Sequence, residues 1–137
     1  MAKLVLRDAS IVVNGVDLSN LCSSVEISTQ AADVEVTAMG AAGVQRLPGL
    51  RDESISVTWR QDYAAAKVDA TLWPLYSGGT AFTVDVKPTS AAASATNPKY
   101  TGTCYLLEYQ PIAGDVGDVA SADTTFVVDG ALTRATS

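Results

Sequence analysis

Few side chains in this sequence are of types that do chemistry, and their spacing scatters them. Histidine is absent, which removes the commonest general base and metal ligand. Cys22 and Cys104 stand far apart and make no zinc spacing. They read best as two small buried apolar side chains. A disulfide fits poorly with the N-terminus MAKLVLRDAS, which lacks the apolar core of a secretory signal. Asp52-Glu53 is an adjacent carboxylate pair at the start of a strand. A glycosidase holds two carboxylates facing each other across a cleft, whereas neighbours on a strand point apart, so the pair reads as a solvated turn. Asp115, Asp118 and Asp123 are residue types found in calcium loops, without the EF-hand spacing. Tyr100, Tyr105 and Tyr109 could form a sugar-stacking platform, but packing in a core or interface is the stronger reading. No glycine-rich phosphate loop, P-loop or nucleophile elbow occurs. Nothing here supports an enzyme, and no cofactor is implied.

The elements that carry these residues are mostly strands. Ile55, Val57 and Trp59 alternate with Ser56, Thr58 and Arg60, the period of two that marks a strand with one buried face. Asp62 stands where a helix N-cap is wanted. Ala65, Val68, Leu72 and Leu75 or Tyr76 then follow at steps of three and four, predicting one short helix over about 62–73. Pro74 has no N–H for the carbonyl of Ala70, so the helix is expected to stop or kink near Trp73. Such a helix is too short to stand alone in water and must lie on a sheet. Upstream, Lys3–Arg7 and Ala9–Val13 are apolar runs, and Asn14-Gly15 before Val16-Asp17-Leu18 is a strong hairpin signal. Strands are also predicted at Leu21–Thr29, Asp33–Thr37, Ala81–Lys87, Lys99–Gln110 and Thr124–Asp129. A final short one at Ala131–Ala135 follows a kink at Gly130. Gly102 marks a bulge or a close backbone approach. Apolar residues of both parities on Lys99–Gln110 predict two covered faces. Pro88–Pro98 reads as a flexible surface loop.

With 137 residues, one domain spanning 1–137 is the simplest organisation. No apolar run approaches the ~20 residues of a membrane-spanning helix, so no membrane partner is expected. The expected fold class is mainly β: a sandwich or barrel of antiparallel strands, one flanking helix, and a long loop at about 38–51. That loop, AMGAAGVQRLPGLRD, shows no steady period of two or four. Long loops in compact domains are usually functional or disordered, yet this one carries Met39, Val44, Leu47 and Leu50. It packs on another subunit, on its own domain, or is simply mobile, and the apolar content favours another subunit. Charge points the same way. The chain carries a formal net charge of −6, the reverse of what gripping nucleic acid requires. Only the stretch 38–60 is net basic, with Arg46, Arg51 and Arg60 against Asp52 and Glu53. A basic loop meeting an acidic surface on the next copy gives a head-to-tail contact, which builds rings or filaments.

The order of these segments resembles that of a known family. Early strands, a long loop, SISVTWRQDYAAAKVDATLWPLYSGGTAFTVDVKP, a small-residue loop ending in NPKYTG, and a closing FVVDGALTRAT together resemble the tail tube (major tail) proteins of long-tailed, siphovirus-type phages. The resemblance implies a structural virion protein whose rings, hexameric in the family, stack head to tail into a hollow tube that conducts the genome. It implies that strands of neighbouring subunits join the lumen wall and that a long loop reaches the adjacent ring. Here that loop would be Ala38–Arg51, with Met39, Val44, Gln45, Arg46, Leu47, Leu50 and Arg51 as the contact residues. It implies an acidic lumen past which DNA slides without specific binding, and Glu26, Glu35, Asp85 and Glu108 are the candidate lining. It further implies tape-measure, terminator and distal tail proteins at the tube ends, location in the virion tail, and assembly in the host cytoplasm. Related folds occur in type VI secretion tubes and other tail and neck proteins. A different class remains open: an immunoglobulin-like or carbohydrate-binding β-sandwich, used for capsid decoration or adhesion.

Overall fold

The computed structural model describes residues 4–136. Eight strands form one hydrogen-bonded antiparallel sheet. They are β1 Ser10–Val13, β2 Val16–Asp17, β3 Cys22–Glu35, β4 Arg46–Arg60, β5 Phe82–Lys87, β6 Lys99–Tyr109, β7 Ser121–Val128 and β8 Thr133–Ala135. The order across the sheet is β2-β1-β5-β6-β7-β4-β3, with β8 continuing the β7 edge along β6. The sheet curls over one core but does not close into a barrel. Between the β1–β2 hairpin and β3, at the two ends of the sheet, lies a groove lined by Leu6, Ala9, Val12, Cys22, Val25 and Lys87. Of the N-terminal apolar run, Lys3 lies outside the described residues, and Leu4–Arg7 is exposed and not in a strand.

The core side of each strand follows the alternation. Ile55, Val57 and Trp59 of β4 and Phe82, Val84 and Val86 of β5 are all buried. Trp59 brings a polar edge inside, and its Nε1–H donates to Thr124 Oγ1 at 2.9 Å. Thr124 in turn donates to the Val57 carbonyl, so the buried indole leaves no donor unpaired. Phe82 and Phe126 meet edge to face at 5.6 Å, the arrangement that aromatic quadrupoles favour. The β1–β2 hairpin turns at Asn14 and Gly15 with φ of 50° and 81°, the two left-handed positions that a type I′ turn requires. Gly102 faces the core where a Cβ would stand 2.6 Å from Leu132 Cδ2, so the glycine there marks a close approach.

The α-helix is displaced from its expected span. Helix α1 runs Val68–Gly78, not 62–73. Asp62 does accept a backbone N–H, but that of Ala64 at 2.9 Å, so it closes a turn ahead of the helix instead of capping it. Ala66, with φ of 61°, keeps the chain non-helical until Lys67. Pro74 sits inside the helix without ending it. The carbonyl it deprives belongs to Ala70, an exposed residue, so the lost bond falls on the solvent side of the helix. Left-handed Gly79 (φ 62°) stops the helix. Val68, Leu72 and Leu75 are its buried stripe, laid against β6.

Two expected breaks are strand. Gln30-Ala31-Ala32 does not separate two strands, because β3 runs unbroken to Glu35. The expected loop at 38–51 is loop only to Gln45, and Arg46–Arg51 is the first part of β4. Ala31 pairs with Arg51 and Asp33 with Pro48, so Gly49 and Leu50 together oppose Ala32. This bulge shifts the facing parity by one residue and hides the strand from a search for period two. The Pro88–Pro98 loop is also ordered: buried Asn97 donates to the carbonyls of Ala91 and Ala92 and accepts from the Thr89 N–H.

Candidate functional site

No cluster of His, Cys, Asp and Glu suited to a metal ion occurs among the described residues. The features that stand out are surfaces: an arm, an edge, a polar face and an end loop.

The arm is the outer half of the β3–β4 hairpin. Residues 28–48 are all exposed, so the ribbon has no core on either face. Val34 pairs with Leu47, and both remain about half exposed or more, at 45% and 57%. The turn closes through Val36 N–H to the Gln45 carbonyl at 2.8 Å and Gln45 N–H to Thr37 Oγ1 at 2.8 Å. Met39, at the tip, and Leu50, at the bulge, are fully or largely exposed. Arg46 Nε lies 3.0 Å from Asp33 Oδ2 in an open ion pair, worth at most about 1 kcal/mol. Two-stranded ribbons are marginal in water without further packing.

The arm is anchored at its root by a carboxylate. Glu53 was read as half of a solvated pair, and only Asp52 is exposed. Glu53 is 1% exposed; its Oε1 accepts the Leu132 N–H at 2.9 Å and its Oε2 meets Arg51 Nη2 at 2.8 Å. Loss of water would push this carboxyl up, but the Leu132 N–H and the Arg51 guanidinium outweigh that and hold it below its ordinary value. Arg51, expected as a contact residue, is therefore tied to its own chain.

The edge is the free side of β3. As the last strand in the order, this 14-residue strand has no strand on its outer side among the described residues, so the backbone groups of alternate residues face outward along it. A long open edge of this kind is a template for a further strand. The opposite end of the sheet is the two-residue β2.

The polar face is the side of the sheet turned from the core. The register sets Glu108, Thr125, Ser56 and Glu26 in one row across β6, β7, β4 and β3. A second row joins Asp17, Val12, Asp85 and Thr101. Glu108 reaches this face because Leu107 is an extra residue opposite β7. The same bulge returns Tyr109 to the core and explains why both parities of β6 are apolar. Glu26, Asp85 and Glu108 thus share a face with Asp17, Asp52 and Asp123, against Arg60, Lys87 and Lys99. Glu35 is not with them: it pairs with Arg46 in the arm.

The end loop, residues 110–120, was read only for its acidic residues. It exposes Ile112, Val116 and Val119. Gln61 Nε2–H groups bind its base at Pro111 O and Tyr109 Oη, and Tyr63 Oη–H also donates to Pro111 O. Tyr109 donates to Asp69 Oδ1 at 2.9 Å, and burial, with that carboxylate beside it, pushes its pKa to about 12. With Tyr109 buried and Tyr100 and Tyr105 half-buried on opposite faces, the tyrosines form no platform. Cys22 is half-buried and Cys104 buried, both as free thiols; burial lifts Cys104 to about 11.

No protein-family model and no curated protein matches this chain. Its three-dimensional structure does have counterparts. It superposes on a chain of the tail of an empty gene transfer agent particle, of C6 symmetry, with a TM-score of 0.71 and 19% identity over 93% of each chain. The SPP1 tail tube gives 0.76 at 12% identity, covering 95% of this chain and 77% of that one. A sheath/tube terminator of the PVC extracellular contractile injection system gives 0.76 at 11% identity over 98% of both. Across these lengths the chain shares the fold of these tube and terminator proteins.

Proposed function

We propose that this protein is the subunit of a phage-type tail tube: a non-enzymatic structural protein forming six-membered rings that stack head to tail into a hollow conduit. The observation that carries this reading is the arm, a ribbon with exposed Val34, Val36, Met39, Val44 and Leu47 that buries neither face among the described residues, on a fold shared with tube proteins. The long β3 edge supports lateral pairing within a ring, where a neighbour's strand supplies the missing hydrogen bonds. The polar face supports a lumen lining. Its carboxylates repel phosphate, so no counterion release rewards binding and DNA slides. Glu26, Asp85 and Glu108 are the lining residues in this reading, and Glu35 belongs to the inter-ring arm. Tape-measure, terminator and distal tail proteins would meet the tube ends, with assembly in the host cytoplasm and residence in the virion.

Electron microscopy of the purified protein at high concentration tests the proposal: hollow rods or stacked six-fold rings are expected, and a dispersed monomer at every concentration, with or without a tail initiator, would end it. The full-length match to a tube terminator favours a second reading, a cap at one tube end, which would give isolated rings that never stack. For the lining, Glu26→Lys with Glu108→Lys is expected to give tubes that retain duplex DNA in low salt and release it in high salt. Tubes of the double variant that ignore DNA would remove these two residues from the lumen.

A further inference from the structure

The arm needs a receiving surface, and that surface is on the same chain at the opposite pole. β4 carries the arm at its Arg46 end and reaches Arg60 after 15 residues, roughly 50 Å in extended geometry. At that far end Gln61 N–H donates to the Ala120 carbonyl at 3.0 Å, which places the 110–120 loop beside it. No single molecule can bring the two together, whereas two copies stacked in the same orientation do so at every junction.

The two surfaces also match in chemistry. Between Val36 and Leu50 the only charged side chain is Arg46, set among exposed Met39, Val44 and Leu47. Between Gln110 and Ala120 the only charged side chains are Asp115 and Asp118, set among Ile112, Val116 and Val119. Val116 is 107% exposed, as open as a free side chain. Yet the loop is held: Asp118 N–H bonds the Asp115 carbonyl and Ser121 N–H the Ala113 carbonyl, both at 3.0–3.1 Å. Three exposed apolar side chains on one short, hydrogen-bonded loop, with two carboxylates between them in the chain, mark a candidate interaction site. Arg46 loses little by leaving Asp33, because that pair is open to water.

We infer that the 110–120 loop of one subunit is the socket for the arm of the next, with Val116 and Ile112 against Val44 and Leu47, and Asp115 or Asp118 opposite Arg46. This rests on the tube reading above and names the partner surface within it.

Directed cross-linking tests the inference. Two chains are prepared, each with Cys22→Ser, one carrying Val44→Cys and the other Val116→Cys. Mixed, assembled and mildly oxidised, they are expected to give disulfide-linked heterodimers, while neither alone gives any dimer. Assembled tubes from the mixture without heterodimer would overturn the socket and leave the tube reading intact. Failure of the unmodified chain to form tubes or rings would overturn both. A charge exchange gives a second readout. Arg46→Glu is expected to raise the concentration needed for assembly at least about tenfold, equivalent to ~1.4 kcal/mol per contact. Asp115→Lys with Asp118→Lys in the same chain should recover most of that loss. No recovery, with Arg46→Glu alone defective, would place the arginine's partner elsewhere.

Discussion

Leu47→Asp is expected to abolish tubes while leaving the monomer folded. In the free chain Leu47 is 57% exposed and stands opposite Val34 across the ribbon. A cross-strand apolar pair of that kind contributes about 0.2–1 kcal/mol. The melting temperature should therefore fall by only a few degrees, roughly 3–5 °C per kcal/mol for a chain of this length. In the stacking proposed above, the same position lies inside a contact between rings. An unpaired carboxylate there costs about 2–5 kcal/mol. Each ring repeats the contact once per subunit, so the penalty multiplies with the symmetry. Melting curves read the first effect, and sedimentation or microscopy reads the second. Tubes of ordinary length from this variant would remove the arm from the junction. A variant that is unfolded at room temperature would show instead that the arm belongs to the body's own core.

Much of this arrangement was readable before any coordinates. Strong alternation at Ile55, Val57 and Trp59 and at Phe82, Val84 and Val86 gave β4 and β5 because each sits on a half-buried face with no interruption. Asn14-Gly15 gave its hairpin because only a left-handed pair of residues fits that turn. The helix stripe was right at Val68, Leu72 and Leu75. Its start was wrong because Asp62 serves a local turn, a competing use of the same carboxylate chemistry. The arm was recognised by its unexplained apolar residues but misread as a loop. Pro48 and Gly49 look like strand breakers, yet this part of β4 has β3 on only one side, so a residue without an N–H is tolerated there. On the polar face, Glu26 and Asp85 follow plain alternation, whereas the place of Glu108 depends on the bulge at Leu107, a two-strand property invisible in either strand alone. Glu53 is the plainest omission. It shares parity with Ile55, Val57 and Trp59, so the pattern already placed it inside. Its neighbour Asp52 lies on the opposite, exposed face of the same strand, so adjacency in sequence says nothing of their shared surroundings.

That buried carboxylate leads to the second large effect. Glu53→Ala is expected to destabilise the chain by about 2–4 kcal/mol, since it leaves the Leu132 N–H buried without an acceptor and Arg51 without its partner. Leu132 itself is 6% exposed and packs over Gly102, so the loss spreads to the crossing between β7 and β8. Glu53→Gln should cost less, because an amide oxygen still accepts from Leu132 while its NH2 group opposes the guanidinium. The pH dependence separates charge from shape. Glu53 is held below its ordinary value of 4.5, so the folded state binds its proton less readily than the unfolded chain does. Its contribution is therefore complete above that ordinary value and is lost as pH falls through the lower folded value. Denaturant melts from pH 7 down to pH 3 should show a shallower acid decline for Glu53→Gln than for the unmodified chain, the two curves converging at the acid end. Parallel curves across that range would mean that the carboxylate holds Leu132 by shape alone. A Glu53→Ala chain as stable as the original would mean that water replaces it, and the arm would then need another anchor to the sheet.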